Sequence, residues 1–537
     1  MPQGEVKVYE GCNISDGAPC LPCQQSIKLE AQIVAAKEPA LNNLLILRRD
    51  LRTEINHHHD PITRRLPPEL TSRVFEICSK ECGPYNSSDW EIPQYQSSTP
   101  LILGAVCQTW RHIAWSLPSL WTRICISLEA QMEDAYVDKV EGWLQRSGQL
   151  PLSMLIDLDF SSESTTRTNA GFRRIISIIN QHSNHWQNLG IKCHPEQLRL
   201  ICGDSRGAPI LRNLSITGLG SSPGANYIFN STMDAMKPRP SCVQLDDIHF
   251  KSVGIHWSDV TDIALIRSCI HLDECIELLQ QTPQLVYCHI EGIDAAESED
   301  WQDYVLPDQP VVLHGLQSLF LSHYEGEDIG MFFQSFTFPN LTHLQLANID
   351  DEDISLWSSI TSLTNRSSMC LTHLSIHYVD CDFETLMPIL QNLPCMVNLN
   401  IKPSHHTDIQ VHLLLSALAN GFFLDTSGHY QTLFLPKLES ICCWGCDSAS
   451  WDSLFWQSIS QLSGPWEDGE LATGGRPIRS VSTYGNGDWE LDVGSRICTD
   501  RNILLRLVKL SRSGVKFKLW SNNVDLLDAS MKHHGMT

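Results

Sequence analysis

The feature that most constrains the fold of this 537-residue chain is a short leucine-rich segment that recurs along its length. The segments share the pattern L-x-x-L-x-L, whose last apolar residues alternate with polar ones as in a half-buried strand. The clearest four begin at Leu285, Leu316, Leu341 and Leu371, and similar segments begin at Leu211, Met396 and Leu438. Intervals of 20–29 residues with this consensus are typical of leucine-rich repeats, and the intervals here (31, 25 and 30 for the first four) are slightly longer and more irregular.

Helix-like stretches separate these strands, most clearly at residues 272–279 and 383–390. One strand and one helix cannot bury their apolar faces alone, whereas stacked neighbours bury a continuous core and present a long binding surface. We therefore predict an α/β fold, in which residues 161–523 form an irregular leucine-rich repeat solenoid with a curved parallel sheet and outer helices. An ordinary α/β domain with leucine-rich strands is the alternative. The pattern fades after about Trp456, and residues 524–537 are predicted to be a C-terminal tail.

The N-terminal part has a different, helical character. Residues 1–25 are rich in Gly, Pro and Cys and are predicted to be a flexible tail. Residues 26–59 carry apolar residues at helical spacing and are predicted to form two helices that break at Pro39. A strand and a helix at 124–160 are predicted to link this part to the repeats and to cap them, with Gly148 ending the helix.

Between these parts, residues 60–123 are predicted to form three short amphipathic helices with a loop insertion at 83–100. Proline is well placed at a helix start, where the first turn has no N–H bond to lose. The first helix follows Leu66-Pro67-Pro68-Glu69-Leu70, the second contains Val106-Cys107-Gln-Thr-Trp110-Arg111, and the third is the turn Leu117-Pro118-Ser119-Leu120-Trp121. A module of this size has little interior of its own. Its apolar side chains are therefore candidates for a partner surface.

These three strings resemble an F-box, and the flanking residues resemble the F-box-like family of mushroom-type fungi with C-terminal leucine-rich repeats. The most specific flanking string is Trp143-Leu-Gln-Arg146-Ser-Gly148-Gln-Leu-Pro151-Leu152. The likeness covers about residues 26–158, and it covers the repeats only in general character. The loop at 83–100 departs from a compact F-box, which leaves the alignment between the first two helices open.

The resemblance implies that the F-box binds a Skp-type adaptor and, through it, a cullin ubiquitin ligase, while the repeats bind an unidentified substrate protein. The positions that match the docking motif are Leu66, Pro67, Pro68, Glu69, Leu70, Val74, Val106, Cys107 and Trp110. Leu120 is a further candidate for this surface, whereas Trp115 and Trp121 are expected to be buried. The predicted function is therefore a substrate-recognition adaptor. The alternative is a leucine-rich repeat scaffold that acts outside ubiquitination.

Charge and hydropathy exclude other classes of partner. The chain carries 62 acidic and 38 basic residues, a formal net charge of −24. Such a surface repels phosphate backbones, so nucleic acid is not expected. The most apolar stretch, residues 413–424, is shorter than the ~20 residues that cross a bilayer. Because the N-terminus lacks a secretory signal, we expect a cytoplasmic or nuclear protein whose cysteines are reduced core thiols.

Three patterns could indicate chemistry, and each favours a structural interpretation. Cys20 and Cys23 have the spacing of a zinc half-site, but two helical stretches separate them from the histidines at 57–59. The cysteines at 442, 443 and 446 overlap a repeat strand and have no matching second pair. Ser222 lies in a G-x-S-x-G pattern, but the following Pro-Gly pair opens a helix poorly. We therefore expect no metal, no cofactor and no enzymatic activity.

Two histidines occupy equivalent repeat positions, His343 and His373. Alternation places them opposite the strand leucines, so we expect surface residues rather than ligands. A weaker hypothesis is that they contribute pH-dependent contacts to the substrate.

Overall fold

The structure is a computed structural model that describes the chain in segments. These are residues 21–35, 38–59, 62, 65–80, 99–158, 169–219, 237–268, 270–294, 309–322, 329–349, 355–367, 369–379, 383–403, 411–424, 430–432, 434–444, 451–467, 470–472, 475–485, 496–521 and 523–536. The chain divides into two compact units, residues 1–211 and 212–537. Both units contain helices and parallel strands, so the predicted α/β class with a large parallel sheet is confirmed.

The first unit begins with helices and ends with a small parallel sheet. Its helices are α1 (Leu21–Ala35), α2 (Glu38–His59), α3 (Pro68–Lys80), α4 (Thr99–Val106), α5 (Gln108–Ser116), α6 (Asp134–Ser147) and α7 (Ala170–Gln181), with short 3-10 helices at Pro118–Trp121, Ser183–His185 and Pro195–Leu200. Its strands are β1 (Arg123–Ser127), β2 (Leu152–Leu158) and β3 (Trp186–Cys193), paired in parallel in that order. Pro39 lies in the first turn of α2, so the predicted break between two helices is confirmed.

The second unit alternates strands and helices along the chain. Its helices are α8 (Leu272–Gln281), α9 (Ile329–Ser335), α10 (Ser355–Ser367), α11 (Phe383–Gln391), α12 (Val411–Asn420), α13 (Ser453–Gln461), α14 (Arg501–Arg512) and α15 (Leu526–His533). Its strands are β4 (Asn213–Gly218), β5 (Cys242–Asp246), β6 (Asp262–Ile266), β7 (Ile270–His271), β8 (Tyr287–Glu291), β9 (Ile293–Asp294), β10 (Val311–Val312), β11 (Ser318–Ser322), β12 (Phe336–Thr337), β13 (His343–Ala347), β14 (His373–Val379), β15 (Asn398–Pro403), β16 (Phe422–Leu424), β17 (Tyr430–Thr432), β18 (Ser440–Trp444), β19 (Trp466–Glu467), β20 (Glu470–Leu471), β21 (Ser480–Gly485), β22 (Lys516–Ser521) and β23 (Val524–Asp525).

The principal sheet of this unit follows chain order. Its strands run β4-β5-β6-β8-β11-β13-β14-β15-β18-β21-β22, each parallel to the next, and β23 closes the edge antiparallel to β22. Each L-x-x-L-x-L segment places its last two apolar residues at the same register, as in Leu344↔Leu374↔Leu399. These residues are buried, while the residues between them face outward, because side chains alternate along a strand.

A left-handed residue occurs at several equivalent positions, directly after β5, β6, β8 and β13 and inside β14. Asp247, Arg267, Gly292, Asn348 and Tyr378 have φ angles of 55°, 49°, 81°, 51° and 53°. Gly, Asn and Asp tolerate this conformation better than other residues do. The repeated turn is therefore partly encoded by residue type, although Arg267 and Tyr378 adopt it without that preference.

The parallel sheet continues beyond Trp456, where the leucine pattern fades, because β21 and β22 extend it within the predicted repeat region of residues 161–523. One expectation about the second unit is wrong. Residues 524–536 are not a tail: β23 pairs with β22, and α15 follows, with the Asp525 carboxylate accepting hydrogen bonds from the amides of Leu527 and Asp528. A carboxylate at a helix N-terminus satisfies amides that have no partner within the helix.

The cysteines also differ from the expectation in one place. Cys370 and Cys395 form a disulfide. Each precedes its strand by three residues, so equivalent positions before the adjacent strands β14 and β15 lie side by side with a Cα–Cα separation of 5.5 Å. Other cysteines are reduced and buried as expected, including Cys193, Cys275 and Cys288.

Candidate functional site

The predicted docking string begins a helix, as its prolines indicate. Pro68 is the first residue of α3, and the Pro67 carbonyl accepts hydrogen bonds from the Thr71 amide (3.0 Å) and hydroxyl (3.2 Å). Thr71 is buried, while Pro67, Pro68 and Glu69 are exposed. The two prolines and the glutamate of the docking string therefore face solvent at the start of α3.

The inner side of α3 packs within the helical module. Phe75, 1% exposed, lies 4.9 Å from the ring of Trp110 on α5. The Glu76 carboxylate accepts a hydrogen bond of 2.9 Å from the Ser119 hydroxyl in the 3-10 helix and forms an ion pair with Arg73. These contacts fix α3, α5 and the 3-10 helix as one packed group.

The second predicted helix is two helices in the structure. Cys107 separates α4 from α5 in extended conformation (φ −157°, ψ 172°), and its sulfur accepts a hydrogen bond of 3.4 Å from the Trp110 amide. Cys107 therefore acts as the N-cap of α5. A 3.6-residue period continues through Cys107, so periodicity alone did not reveal the break.

Four apolar side chains remain on the outside of α3 and α4, which pack against each other. Leu70, Ile77, Ile102 and Val106 are 52%, 47%, 58% and 48% exposed. Leu70 and Ile77 are seven residues apart on α3, and Ile102 and Val106 are four apart on α4, so each pair shares one helix face. We call these four residues the exposed apolar face.

The other predicted docking residues divide between exposed and enclosed positions. Leu66, Val74 and Trp110 are half-buried. Leu120 is 4% exposed, so its assignment to the partner surface is wrong: the 3-10 helix turns it into the module. Trp115 was expected to be buried and is 45% exposed, so that expectation is also wrong, whereas Trp121 is buried as expected.

The Trp-Leu-x-Arg-Ser-Gly string joins the helical module to the small sheet. The Trp143 indole donates a hydrogen bond of 2.9 Å to the Trp121 carbonyl, and the two rings lie edge to face at 4.7 Å. Arg146 lies over the rings of Trp115 (4.9 Å) and Trp121 (5.1 Å). Gly148 ends α6 with φ 63° and ψ −124°, as a C-terminal glycine was predicted to do. The string therefore has a packing role in this chain.

The outward face of the large sheet carries the two predicted histidines. The His343 and His373 rings stack at 4.0 Å, and burial lowers the pKa of both imidazoles. His343 is exposed and His373 is half-buried, so their predicted position opposite the leucines is confirmed. Their role in substrate binding stays a prediction.

Sequence analysis missed the most distinctive part of this face. Trp444 and Tyr484 stack at 4.0 Å on neighbouring strands, and the Lys402 ammonium lies 4.3 Å from the Tyr378 ring and 5.1 Å from the Trp444 ring. Outward aromatic residues at equivalent positions of β18, β21 and β22 were the available signal. The leucine pattern does not reveal this signal, because β21 lacks it.

The structure describes only some residues of the cysteine patterns and of the Ser222 pattern. Cys443 is buried and Cys442 half-buried on β18, consistent with cysteines of a repeat strand. Cys20, Cys446 and Ser222 lie outside the described residues, as does most of the predicted loop at 83–100. Within the described segments, His, Cys, Asp and Glu side chains form no group of three or more that could hold a metal ion. No described helix is long and apolar enough to cross a membrane.

Comparison with known proteins identifies no family. No family model matches the sequence, and no curated protein matches it significantly. Among solved structures, a crystal structure of a Bacteroides fragilis protein aligns with 72% of this chain and 80% of that chain, at 10% sequence identity and a TM-score of 0.28. A similarity this low carries no argument about fold or function.

Proposed function

We propose that this protein is a substrate-recognition adaptor of a Skp-cullin-F-box ubiquitin ligase. In this proposal the exposed apolar face binds a Skp-type adaptor, which links the chain to a cullin, and the repeat-containing second unit binds a substrate protein. The observation that carries the proposal is the exposed apolar face itself. The resemblance of residues 26–158 to fungal F-box proteins supports the identity of the partner.

The exposed apolar face differs from scattered surface hydrophobics in its arrangement. On α2, Leu45, Ile46 and Leu47 are also exposed, but consecutive residues point around the helix rather than along one face. The pairs on α3 and α4 form two stripes on helices that touch. Stripes of this kind are the usual contact surface of a helix that packs against another protein.

The exposed apolar face would supply part of the free energy of a specific contact. Each of the four side chains is about half exposed. Burying the remaining half would contribute about 1 kcal/mol for each, or about 4 kcal/mol together, since full burial of such a side chain is worth about 1.5–3 kcal/mol. An aspartate at one of these positions would remove that gain and would also place a charge in the interface.

The test is binding of the full-length chain to a purified Skp-type adaptor, measured by isothermal titration calorimetry. The double variant Ile102→Asp with Val106→Asp is expected to weaken binding at least a hundredfold. The matched control is Leu505→Asp on α14, because Leu505 is 48% exposed and lies in the second unit. Failure of the folded wild-type chain to bind, or equal binding by the double variant, would argue against the proposal.

A second candidate function is a protein-binding scaffold that acts outside ubiquitination. The open outward face of the large sheet favours it, since that face could bind a protein without any contribution from the helical module. The same titration separates the two functions, because a scaffold requires no Skp adaptor. Reconstitution with the Skp adaptor, a cullin and its RING subunit would then show whether ubiquitin is transferred to a captured protein.

A further inference from the structure

The outward positions of the large sheet change in charge along the unit. On β5, β6 and β8 they include the carboxylates of Asp246, Asp262 and Glu291. From β14 to β22 the outward positions carry no carboxylate among the described residues. The charged side chains there are the three lysines Lys402, Lys516 and Lys518.

The three lysines keep their charge available to a ligand. Lys516 and Lys518 are exposed and Lys402 is half-buried. None of the ion pairs formed between described residues involves any of them. Two nearby acidic residues are already engaged: Glu439, just before β18, pairs with Arg479 at 3.2 Å, and Asp525 caps α15. Among the described residues, the lysines therefore form a positive area without ion pairs on a chain of net charge −24.

Flat aromatic side chains lie beside this charge. Trp444, Tyr484 and Trp520 occupy consecutive outward positions near the ends of β18, β21 and β22. Trp520 is 38% exposed, and the Trp444–Tyr484 stack lies next to Lys402. We call Lys402, Trp444, Tyr484, Lys516, Lys518 and Trp520 the basic aromatic patch. Rigid aromatic rings add contact area at a small cost in conformational entropy.

We propose that the basic aromatic patch binds an acidic segment of the substrate protein in extended conformation. The inference rests on the proposed function only in calling the bound protein a substrate. The three ammonium groups are point charges that can each pair with a carboxylate, and no outward position from β14 to β22 supplies an arginine for a bidentate clamp. Nucleic acid would also meet lysines and aromatic rings, but the net charge of −24 opposes its dense phosphate charge more strongly than the few carboxylates of a peptide segment.

The spacing of the lysines fits an extended peptide that crosses the strands. Lys402 on β15 and Lys518 on β22 are separated by three inter-strand steps, or about 14 Å at ~4.8 Å per step. An extended chain advances about 3.3 Å per residue, so carboxylates four residues apart span about 13 Å on one side. Acidic residues at i and i+4 would reach both ends of the patch, with the aromatic rings under the residues between them.

The test uses a fluorescein-labelled probe peptide of about twelve residues, long enough to cross four strands, in which glutamate alternates with serine and phenylalanine. Its glutamine analogue controls for charge. Fluorescence anisotropy with the full-length chain is expected to show binding of the glutamate probe alone. The triple variant Lys402→Glu, Lys516→Glu, Lys518→Glu should weaken binding roughly thirtyfold or more.

The matched control reverses three lysines elsewhere, with Lys28→Glu, Lys139→Glu and Lys532→Glu, and should bind the probe almost as the wild type does. A milder variant, Lys402→Gln with Lys518→Gln, keeps the test valid if the triple variant does not fold. No binding of the probe to wild-type protein overturns the inference. So does equal binding by the triple variant and the wild type, or tighter binding of a uridine oligonucleotide than of the probe.

Two further measurements separate this inference from the proposed function. The triple lysine variant should still bind the Skp-type adaptor, and the Ile102→Asp, Val106→Asp variant should still bind the probe. Probe binding without Skp binding would refute the proposed function and leave the patch assignment standing. Skp binding without probe binding would refute the patch assignment alone.

Discussion

Replacement of Arg476 should destabilise the second unit, although Arg476 forms no ion pair with a described residue. Arg476 is 4% exposed, and its guanidinium donates hydrogen bonds to the carbonyls of Leu418 (2.6 Å), Phe434 (2.7 Å), Leu435 (3.2 Å) and Leu462 (3.3 Å). These carbonyls belong to the last turn of α12, the turn before β18, and the residue after α13. One cation therefore connects chain segments from neighbouring strand–helix units.

The magnitude follows from two opposing effects. Loss of the donor would leave four carbonyls without this partner, at about 1.5 kcal/mol each, or about 6 kcal/mol. Against this, burial lowers the pKa of Arg476 from 12.5 to about 10. A shift of that size corresponds to about 3 kcal/mol of desolvation, which an apolar replacement would recover. Arg476→Met should therefore reduce the free energy of unfolding by about 3 kcal/mol.

The measurement is thermal unfolding of the full-length chain by circular dichroism. With an unfolding entropy of roughly 2.1 cal/mol/K per residue, the second unit should lose about 4 °C in Tm. Arg479→Met is the matched control: Arg479 is three residues away, its side chain is 75% exposed, and its pairing with Glu439 is worth no more than about 1 kcal/mol. Hydrogen exchange of the Leu438 amide, which donates to Leu435 at 3.2 Å, would localise the effect.

Arg476→Lys distinguishes hydrogen bonding from charge. Lysine keeps the cation but lacks the planar fork that reaches four carbonyls, so we expect a loss of similar size. Equal Tm values for Arg476→Met and Arg479→Met would refute the reasoning. Full stability of Arg476→Lys would show that charge, rather than the hydrogen-bond geometry, holds these turns together.

Three further predictions concern stability. Burial lowers the pKa of His289 from 6.5 to about 4, so the unfolded chain binds a proton at this imidazole more tightly than the folded chain does. The free energy of unfolding should therefore fall by roughly 2–3 kcal/mol as the pH drops from 6.5 to 4. Urea titrations at the two pH values should show a smaller loss for His289→Gln. Gly148→Ala should cost about 1–3 kcal/mol from backbone strain alone, since its φ and ψ suit only glycine and a Cβ there meets nothing within 4 Å; an unchanged urea midpoint would contradict this. Reduction of the Cys370–Cys395 disulfide, whose sequence separation is 25 residues, should lower the free energy of unfolding by roughly 3 kcal/mol, whereas Cys370→Ser should be insensitive to reductant.

The repeat strands were predictable where leucine spacing and alternation coincide. Leu344 and Leu374 occupy the same register because each is the second leucine of an L-x-x-L-x-L segment. The strands β5, β6 and β21 were missed because no leucine precedes them at the required distance, although Val243 and Leu245 alternate on β5 as a buried pair should. Alternation at the repeat interval, without the leading leucine, would have found them.

The direction in which each side chain of the helical module points was harder to predict than the positions of the helices. The string around Leu120 was correctly predicted as a tight turn, but which of its side chains points inward depends on how the turn packs against α3 and α6. Trp121 is enclosed by Trp143 and Arg146, and the same arginine holds Trp115 near the surface. Residues more than 20 positions apart make these contacts, so local periodicity carries no information about them.

The exposed apolar face and the basic aromatic patch belong to different compact units, so they can be inactivated separately. A scaffold needs the patch alone, whereas an adaptor must use both surfaces at once. Immobilised Skp-type adaptor should therefore retain the acidic probe peptide only when the wild-type chain is present. The Ile102→Asp, Val106→Asp variant should leave probe and chain together in the flow-through, and the triple lysine variant should leave the chain on the resin and release only the probe. If Skp adaptor and probe each bind but exclude one another, the chain cannot bridge ligase and substrate through these two surfaces.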